Sequence, residues 1–372
     1  MALNFVKKKR KEKKQKSALR EWFDALKFAV IVATLFKWSF LGAFSIPTPS
    51  MEGSLLVGDY LVVSKIHYGP RTPQTPLQVP LTHQTFPGSK APSYLDWIQL
   101  PSVRIPGLSK VKHNDAVVFN YPPETVHPTD LKTYYVKRCV GLPGDILSID
   151  NNQVYVNDKH LENPNQMQLS YLVKSDGPLA ARIFKKCGIW DYLEAGNDTY
   201  YIKGATEASI KQLESLPFIA SITPTHLTFE GFRSYGKGDL NPDIYPKSDK
   251  LDWNEDFYGP LRIPAKGQTI TITPENVLRY SELITNFEGH ENVFIKDTKL
   301  LIDQKEVTEY TFRQNYYFMM GDNRHNSLDS RFWGFVPEDH VVGKALWVLA
   351  SFDQDESFPN SIRWHRLFKS VK

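Results

Sequence analysis

Residues Ala25–Ile46, ALKFAVIVATLFKWSFLGAFSI, set the first limit on this chain, because a run this apolar must be buried in protein or in lipid. As one helix it would span roughly 33 Å, the thickness of a bilayer core. Lys27 can snorkel to one side, whereas Lys37 sits near the middle, where a lysine costs about 2.5–3.5 kcal/mol. The block Lys7–Lys16, KKKRKEKKQK, precedes the run and predicts a cytosolic N-terminus with everything after Ile46 outside. A cleaved leader fits less well, since Leu41 stands where a small residue is needed before Ala43. A buried core helix is disfavoured by the same basic block and by Lys37. The expectation is one uncleaved transmembrane helix over residues 25–46, after a basic N-terminus over residues 1–24.

The remainder is long enough for a substantial core, in a chain of 372 residues with a formal net charge of +4. So even a balance gives no electrostatic case for nucleic acid. Strand-forming stretches dominate: Leu55–Tyr68, Asp115–Tyr121, Thr133–Gly141 and Val341–Phe352. Hairpins are expected at Ile146–Asp150 with Val154–Asn157, and at Asn292–Lys296 with Leu300–Asp303. Between them, Asn163–Gly289 is more polar, with one helix over Thr206–Leu216, capped by Thr206 and stopped by Pro217. Residues Gly69–Val111 hold eight prolines and read as an irregular excursion, lying either at a membrane interface or over the protein surface. The fold expected is mainly β: an antiparallel, barrel-like body made from residues 47–150 and 316–352. Residues 151–315 are inserted into it, and 353–372 form a C-terminal tail that is basic over Arg363–Lys372. Two cysteines, Cys139 and Cys187, show no spacing that demands a bridge or a metal, and Cys139 reads as a small buried hydrophobe.

Ser50 stands out chemically. Pro47 and Pro49 stiffen the chain around it and push their neighbours towards extended backbone. A serine so presented is a nucleophile if a base lies within reach, and an ordinary turn residue if none does. His325, flanked by Asp322 and Asp329, would complete a triad. Lys137, in the strand YYVKRCV, is the other base. A lysine desolvated among tyrosine, valine and cysteine loses its proton far more readily than arginine does. Strand alternation sends Lys137 and Arg138 to opposite faces, so one of them faces the interior or a cleft.

Three segments taken together carry a resemblance. PSM at Pro49–Met51 followed by LLVGDYLVVSK, YVKRCVGLPGD at Tyr135–Asp145, and GDNRHNSLDSRFWGFVP at Gly321–Pro337 resemble, in order, the signature boxes of type I signal peptidases. Asp115–Phe119 resembles a further box, with Asn114 where that family usually has glycine. The resemblance implies a membrane-anchored serine endopeptidase that removes signal peptides from exported preproteins. It implies Ser50 as nucleophile and Lys137 as general base, with the Thr48 hydroxyl joining the Ser50 N–H in the oxyanion hole. Ser327 would hydrogen-bond and orient the lysine, Asp329 and Arg331 would form a supporting ion pair, and Gly321, Asp322 and Asn323 would shape the loop behind the site. Met51, Leu55, Tyr135 and Val136 would lie near the pocket for small substrate side chains. His325 stands where the family often has aspartate, which argues against it as the base. No metal or cofactor is implied. The partners expected are preproteins and the lipid bilayer, for a monomer with its catalytic body outside the cytoplasmic membrane of a bacterium. The rival reading is a membrane-tethered β-rich binding or assembly module without chemistry.

Overall fold

The computed structural model describes residues 17–296 and 298–371, so the basic block at residues 7–16 lies outside the described residues. The apolar run does not form one helix. Helix α1 occupies Ala18–Ser39, and the rest of the run turns into strand β1 (Leu41–Ser45). That strand pairs antiparallel with β2 (Asp59–Ser64), from Leu41 opposite Ser64 to Ser45 opposite Tyr60. The expected helix over 25–46 is therefore corrected. An apolar run read by composition does not separate helix from buried strand, and here sheet pairing takes its last third. Among the described residues no helix is long and apolar enough to cross a membrane. Lys37 falls in the last turn of α1, where a cation suits the helix dipole, and its Nζ donates to the Leu81 carbonyl at 3.0 Å.

The body is built on one antiparallel seven-stranded sheet. Its other members are β3 (Ala116–Asn120), β4 (Tyr134–Gly141), β5 (Tyr316–Met320), β6 (Val336–Pro337) and β7 (Val341–Ser351). Their spatial order is β1-β2-β7-β3-β4-β5-β6. The last long strand in sequence thus lies between β2 and β3, tying the C-terminal third to the N-terminal third. Alternation sorts each strand's side chains into two apolar layers. Met51, Leu55, Leu61, Val63, Ala116 and Val118 pack on one face, and Val117, Phe119, Cys139, Tyr317 and Met319 on the other.

A second sheet pairs the hairpin Ile146–Asp150/Gln153–Val156 with Tyr258–Arg262. The division expected at residues 150–151 falls on that hairpin's turn. Helix Pro274–Phe287, capped by Thr273, packs Val277, Tyr280, Leu283 and Ile284 into the core beneath this sheet. Residues 168–224 form a separate four-stranded sheet with its own core of Val173, Phe184, Ile202 and Leu213. The helix expected at Thr206–Leu216 is present there as Glu207–Glu214, with Thr206 Oγ1 accepting from the Ser209 N–H at 3.2 Å. Cys139 and Cys187 are both free and buried, in different cores.

The proline-rich excursion folds back over the body without a helix. The Asp130 carboxylate pins it by accepting from the Gln74 and Thr75 N–H groups at 2.9 and 3.0 Å. Arg104 fastens its far end by donating to the Glu338 and Val341 carbonyls at 2.6 and 2.7 Å.

Candidate active site

Pro49, Ser50 and Met51 make one turn of 3-10 helix, with Pro49 in the first position that suits a residue lacking N–H. Thr48 before it is extended, at φ −131° and ψ 152°, as a residue preceding proline must be. Ser50 is 9% exposed and Met51 fully buried, so the nucleophile candidate sits at the edge of the core.

Lys137 approaches from β4. Side chains two apart on a strand share a face, and Lys137 Nζ lies 5.7 Å from the centre of the Tyr135 ring. Its Nζ hydrogen-bonds Ser50 Oγ. The lysine is 3% exposed. Burial pushes its pKa down to about 8; Asp329 and Asp322 oppose that fall, and Arg331 assists it.

Arg138, on the opposite face, is also buried. It makes a two-pronged ion pair with Asp322, Nε to Oδ1 at 2.8 Å and a terminal nitrogen to Oδ2 at 2.6 Å. Strand alternation is therefore satisfied by two occupied interiors rather than one. Arg331, not Arg138, is the cation that bears on the lysine.

The segment after β5 closes the site from below. Asn323 donates its N–H to the Ser50 carbonyl at 3.2 Å and its side-chain amide to the Pro49 carbonyl at 3.3 Å. Gly321 is pressed against the same carbonyl: a Cβ there would lie 2.4 Å from Ser50 O and 2.3 Å from Ser327 Oγ. Asp329 and Arg331 are fully buried and make a two-pronged pair, Nε to Oδ1 at 2.9 Å and a terminal nitrogen to Oδ2 at 2.8 Å. Asp329 Oδ2 also accepts from the Gly321 N–H at 3.0 Å, so the ion pair holds the loop's first residue. Burial alone would raise the Asp329 carboxyl, but Arg331 keeps it below the usual range.

One implied hydrogen bond is not formed. Ser327 Oγ is buried with no hydrogen-bond partner among the described residues, so its bond to Lys137 is not formed; the lysine is turned onto Ser50 instead. Leu55 is fully buried in the core cluster that holds Met51 and Leu61, two residues that line the cleft.

Ser50 and Lys137 open into a cleft of about 1180 Å³. Met51, Tyr135 and Val136 line it beside them, as does Thr48, whose side chain makes no capping bond. One wall is β1, an edge strand; the other is the excursion, with Pro76, Val79 and Leu81. The α1 residues Thr34, Lys37 and Trp38 reach its rim, and Trp38 Nε1 donates to the Arg71 carbonyl at 2.6 Å.

His325 is not beside Ser50. Its Nε2 faces Asp256 and Asn152, both at 3.1 Å, and its Nδ1 accepts from the Ser170 N–H at 3.2 Å. Sequence reasoning gave no role to Asp256 or His226. These lie far apart in the chain, and no local spacing announces their meeting.

The signal peptidase, peptidase S26 family matches residues 19–187 and 259–350. Curated relatives agree over most of the length. Signal peptidase I of Buchnera aphidicola subsp. Acyrthosiphon pisum is 27% identical over 363 residues, 96% of this chain and 84% of the relative. Signal peptidase I of Helicobacter pylori strain J99 is 27% identical over 362 residues, 92% and 90% of the two chains. That of Haemophilus influenzae is 25% identical over 359 residues, 96% and 77%. A binding module without chemistry is thereby set aside: with its family matched on both sides of residues 188–258, the chain belongs to the signal peptidase, peptidase S26 family and is a serine endopeptidase.

Proposed function

We propose that Ser50 is the nucleophile and Lys137 the general base of an endopeptidase that cuts signal peptides from exported preproteins at the outer face of the cytoplasmic membrane. One observation carries the assignment: a lysine 3% exposed, with its pKa lowered to about 8, hydrogen-bonded to a serine at the floor of an open cleft. The neutral amine takes the Ser50 proton as Oγ attacks the scissile carbonyl, then returns it to the leaving amine. Tyr135 and Val136, both partly exposed on the cleft, offer an apolar surface for small side chains ahead of the cut. The catalytic body in this reading comprises residues 47–150 and 316–352, with 151–315 inserted, and it acts as a monomer. The test is to incubate detergent-solubilised protein with an exported precursor, wild type beside Ser50→Ala. Cleavage by the first alone is expected.

Thr48 is assigned to the oxyanion hole with the Ser50 N–H. Its position on the cleft beside the serine, with no capping bond to occupy its hydroxyl, supports this. Thr48→Ala should lower kcat on the order of 10²–10³-fold, and Thr48→Ser should restore most of it. Equal loss in both variants would remove the hydroxyl from the mechanism.

Membrane attachment is assigned to α1. Phe28, Ile31, Val32, Leu35 and Phe36 are all at least 46% exposed, an apolar surface left uncovered by the described residues. Ile31→Lys together with Leu35→Lys should release the protein from phospholipid vesicles in a flotation assay. Retention equal to wild type would assign attachment elsewhere.

A further inference from the structure

His226, Asp256 and His325 meet in the interior between the inserted region and the loop that follows β5. The His226 Nε2 lies 3.0 Å from both Asp256 oxygens, and the His325 Nε2 lies 3.1 Å from one of them. The two imidazoles lie against each other, with centroids 3.8 Å apart and planes 33° apart. All three side chains are at most 6% exposed.

We propose that these three residues form a clasp that positions the loop Gly321–Ser327 under the nucleophile, so that its loosening lowers turnover without weakening substrate binding. The proposal rests on the Ser50–Lys137 reading above.

The ligand atoms lie within 4.8 Å of one another, so a metal site has to be considered. The Ser170 N–H decides against it. It donates to His325 Nδ1, which therefore carries a lone pair; in the neutral ring the hydrogen is on Nε2 and points at Asp256 and Asn152. A ring nitrogen bearing hydrogen cannot ligate a metal. Hydrogen bonds between the rings and one shared carboxylate account for the geometry.

The path to the site is short. Two residues before His325, Asn323 holds the carbonyls of Pro49 and Ser50. The inserted region grips the same loop twice through its backbone, at the Asp322 carbonyl by the Gln168 N–H at 2.9 Å and at His325 by Ser170. The clasp adds side-chain anchors from residues 226 and 256. Asn323 cannot shift without moving either His325 or the nucleophile turn.

Charged groups pack on the clasp from several elements. Asp256 and His226 face His325 directly, with Arg331 beyond them; Tyr235 sets its ring 5.1 Å from that of His226. Burial pushes His325 down to about 4, with Asp256 opposing that fall and His226 and Arg331 assisting it. Burial would raise the Asp256 carboxyl, but His226 and His325 hold it far below the usual range. Around neutral pH the anion and the uncharged His325 ring are thus both fixed.

The test is steady-state cleavage of a signal-peptide substrate by the full chain in detergent. His325→Asn keeps the acceptor for Ser170 and loses the donor to Asp256; His325→Gln keeps the donor. Asp256→Asn and His325→Asn are expected to lose about tenfold or more in kcat with KM within about twofold, whereas His325→Gln recovers most of the rate. In the two slow variants the acid limb assigned to Lys137 should move to higher pH, because water gains access to the lysine. Wild-type kcat in both, a loss confined to KM, or His325→Gln as slow as His325→Asn would overturn the clasp. If Asp256→Asn does not fold, the His325 pair decides alone. Lys137→Ala runs in parallel: activity there defeats the serine–lysine reading, whereas an inactive Lys137→Ala beside fast clasp variants defeats only the clasp.

Discussion

Lys137→Ala is expected to abolish precursor cleavage while the protein remains folded, and Ser50→Ala to do the same. Nucleophile and base act as one unit, so either loss should cost nearly as much as both together, on the order of 10⁴-fold or more. The magnitude follows from the proton. An ordinary lysine at pH 7 is neutral in less than about one molecule in a thousand. With its pKa at about 8, Lys137 is neutral in about a tenth of molecules at pH 7. Burial is the main cause, so the same shift has a cost in stability. Between about 8 and the ordinary 10.5 the unfolded chain binds a proton that the folded chain does not, so stability from this site rises with pH across that window and is lowest below it. Thermal melts should show a steeper slope across that window in wild type than in Lys137→Ala, the remainder coming from Lys65, which burial also brings down to about 8.

Gly321→Ala should also cost a large part of the rate, although glycine carries no chemistry. Its φ is not in the left-handed region; the constraint is space. An added methyl would stand 2.4 Å from the Ser50 carbonyl and 2.3 Å from Ser327 Oγ. The Ser327 side chain can turn away, but the carbonyl moves only with the nucleophile. A displacement near 1 Å costs on the order of 10²-fold in rate. The double variant Gly321→Ala/Ser327→Ala relieves one contact and leaves the other, so it should remain slow. Recovery to wild-type turnover in the double variant would show that the Ser50 carbonyl is not the obstacle.

Much of the sheet was legible because β-branched and aromatic runs mark strands: 115–121 and 133–141 appear as Ala116–Asn120 and Tyr134–Gly141. The boxes around Ser50, Lys137 and Gly321 were legible as a set because each is continuous in sequence, and the sheet then brings them together. The apolar run was misread for a physical reason: only pairing with β2, invisible in the run itself, decides where helix gives way to strand. Ser327 stands beside Gly321 at the site, and only its bond to Lys137 is not formed, because a resemblance transfers positions and not rotamers. Asp256 and His226 were illegible altogether. A clasp assembled from residues 226, 256 and 325 has no signature at any sequence spacing, and His325 beside two aspartates looked more like a triad member than a strut.

The most direct test is the pH dependence of kcat/KM for a signal-peptide substrate, wild type beside Tyr135→Glu and His325→Gln. The wild type should rise on its acid side to a plateau with an apparent pKa near 8, the value to which burial brings Lys137. Tyr135 is partly exposed and its ring centre lies 5.7 Å from Lys137 Nζ, so Tyr135→Glu should shift that limb upward, because a carboxylate near the lysine favours its protonated form. His325→Gln should leave it in place. A limb that ignores Tyr135→Glu but vanishes in His325→Gln would contradict the serine–lysine assignment.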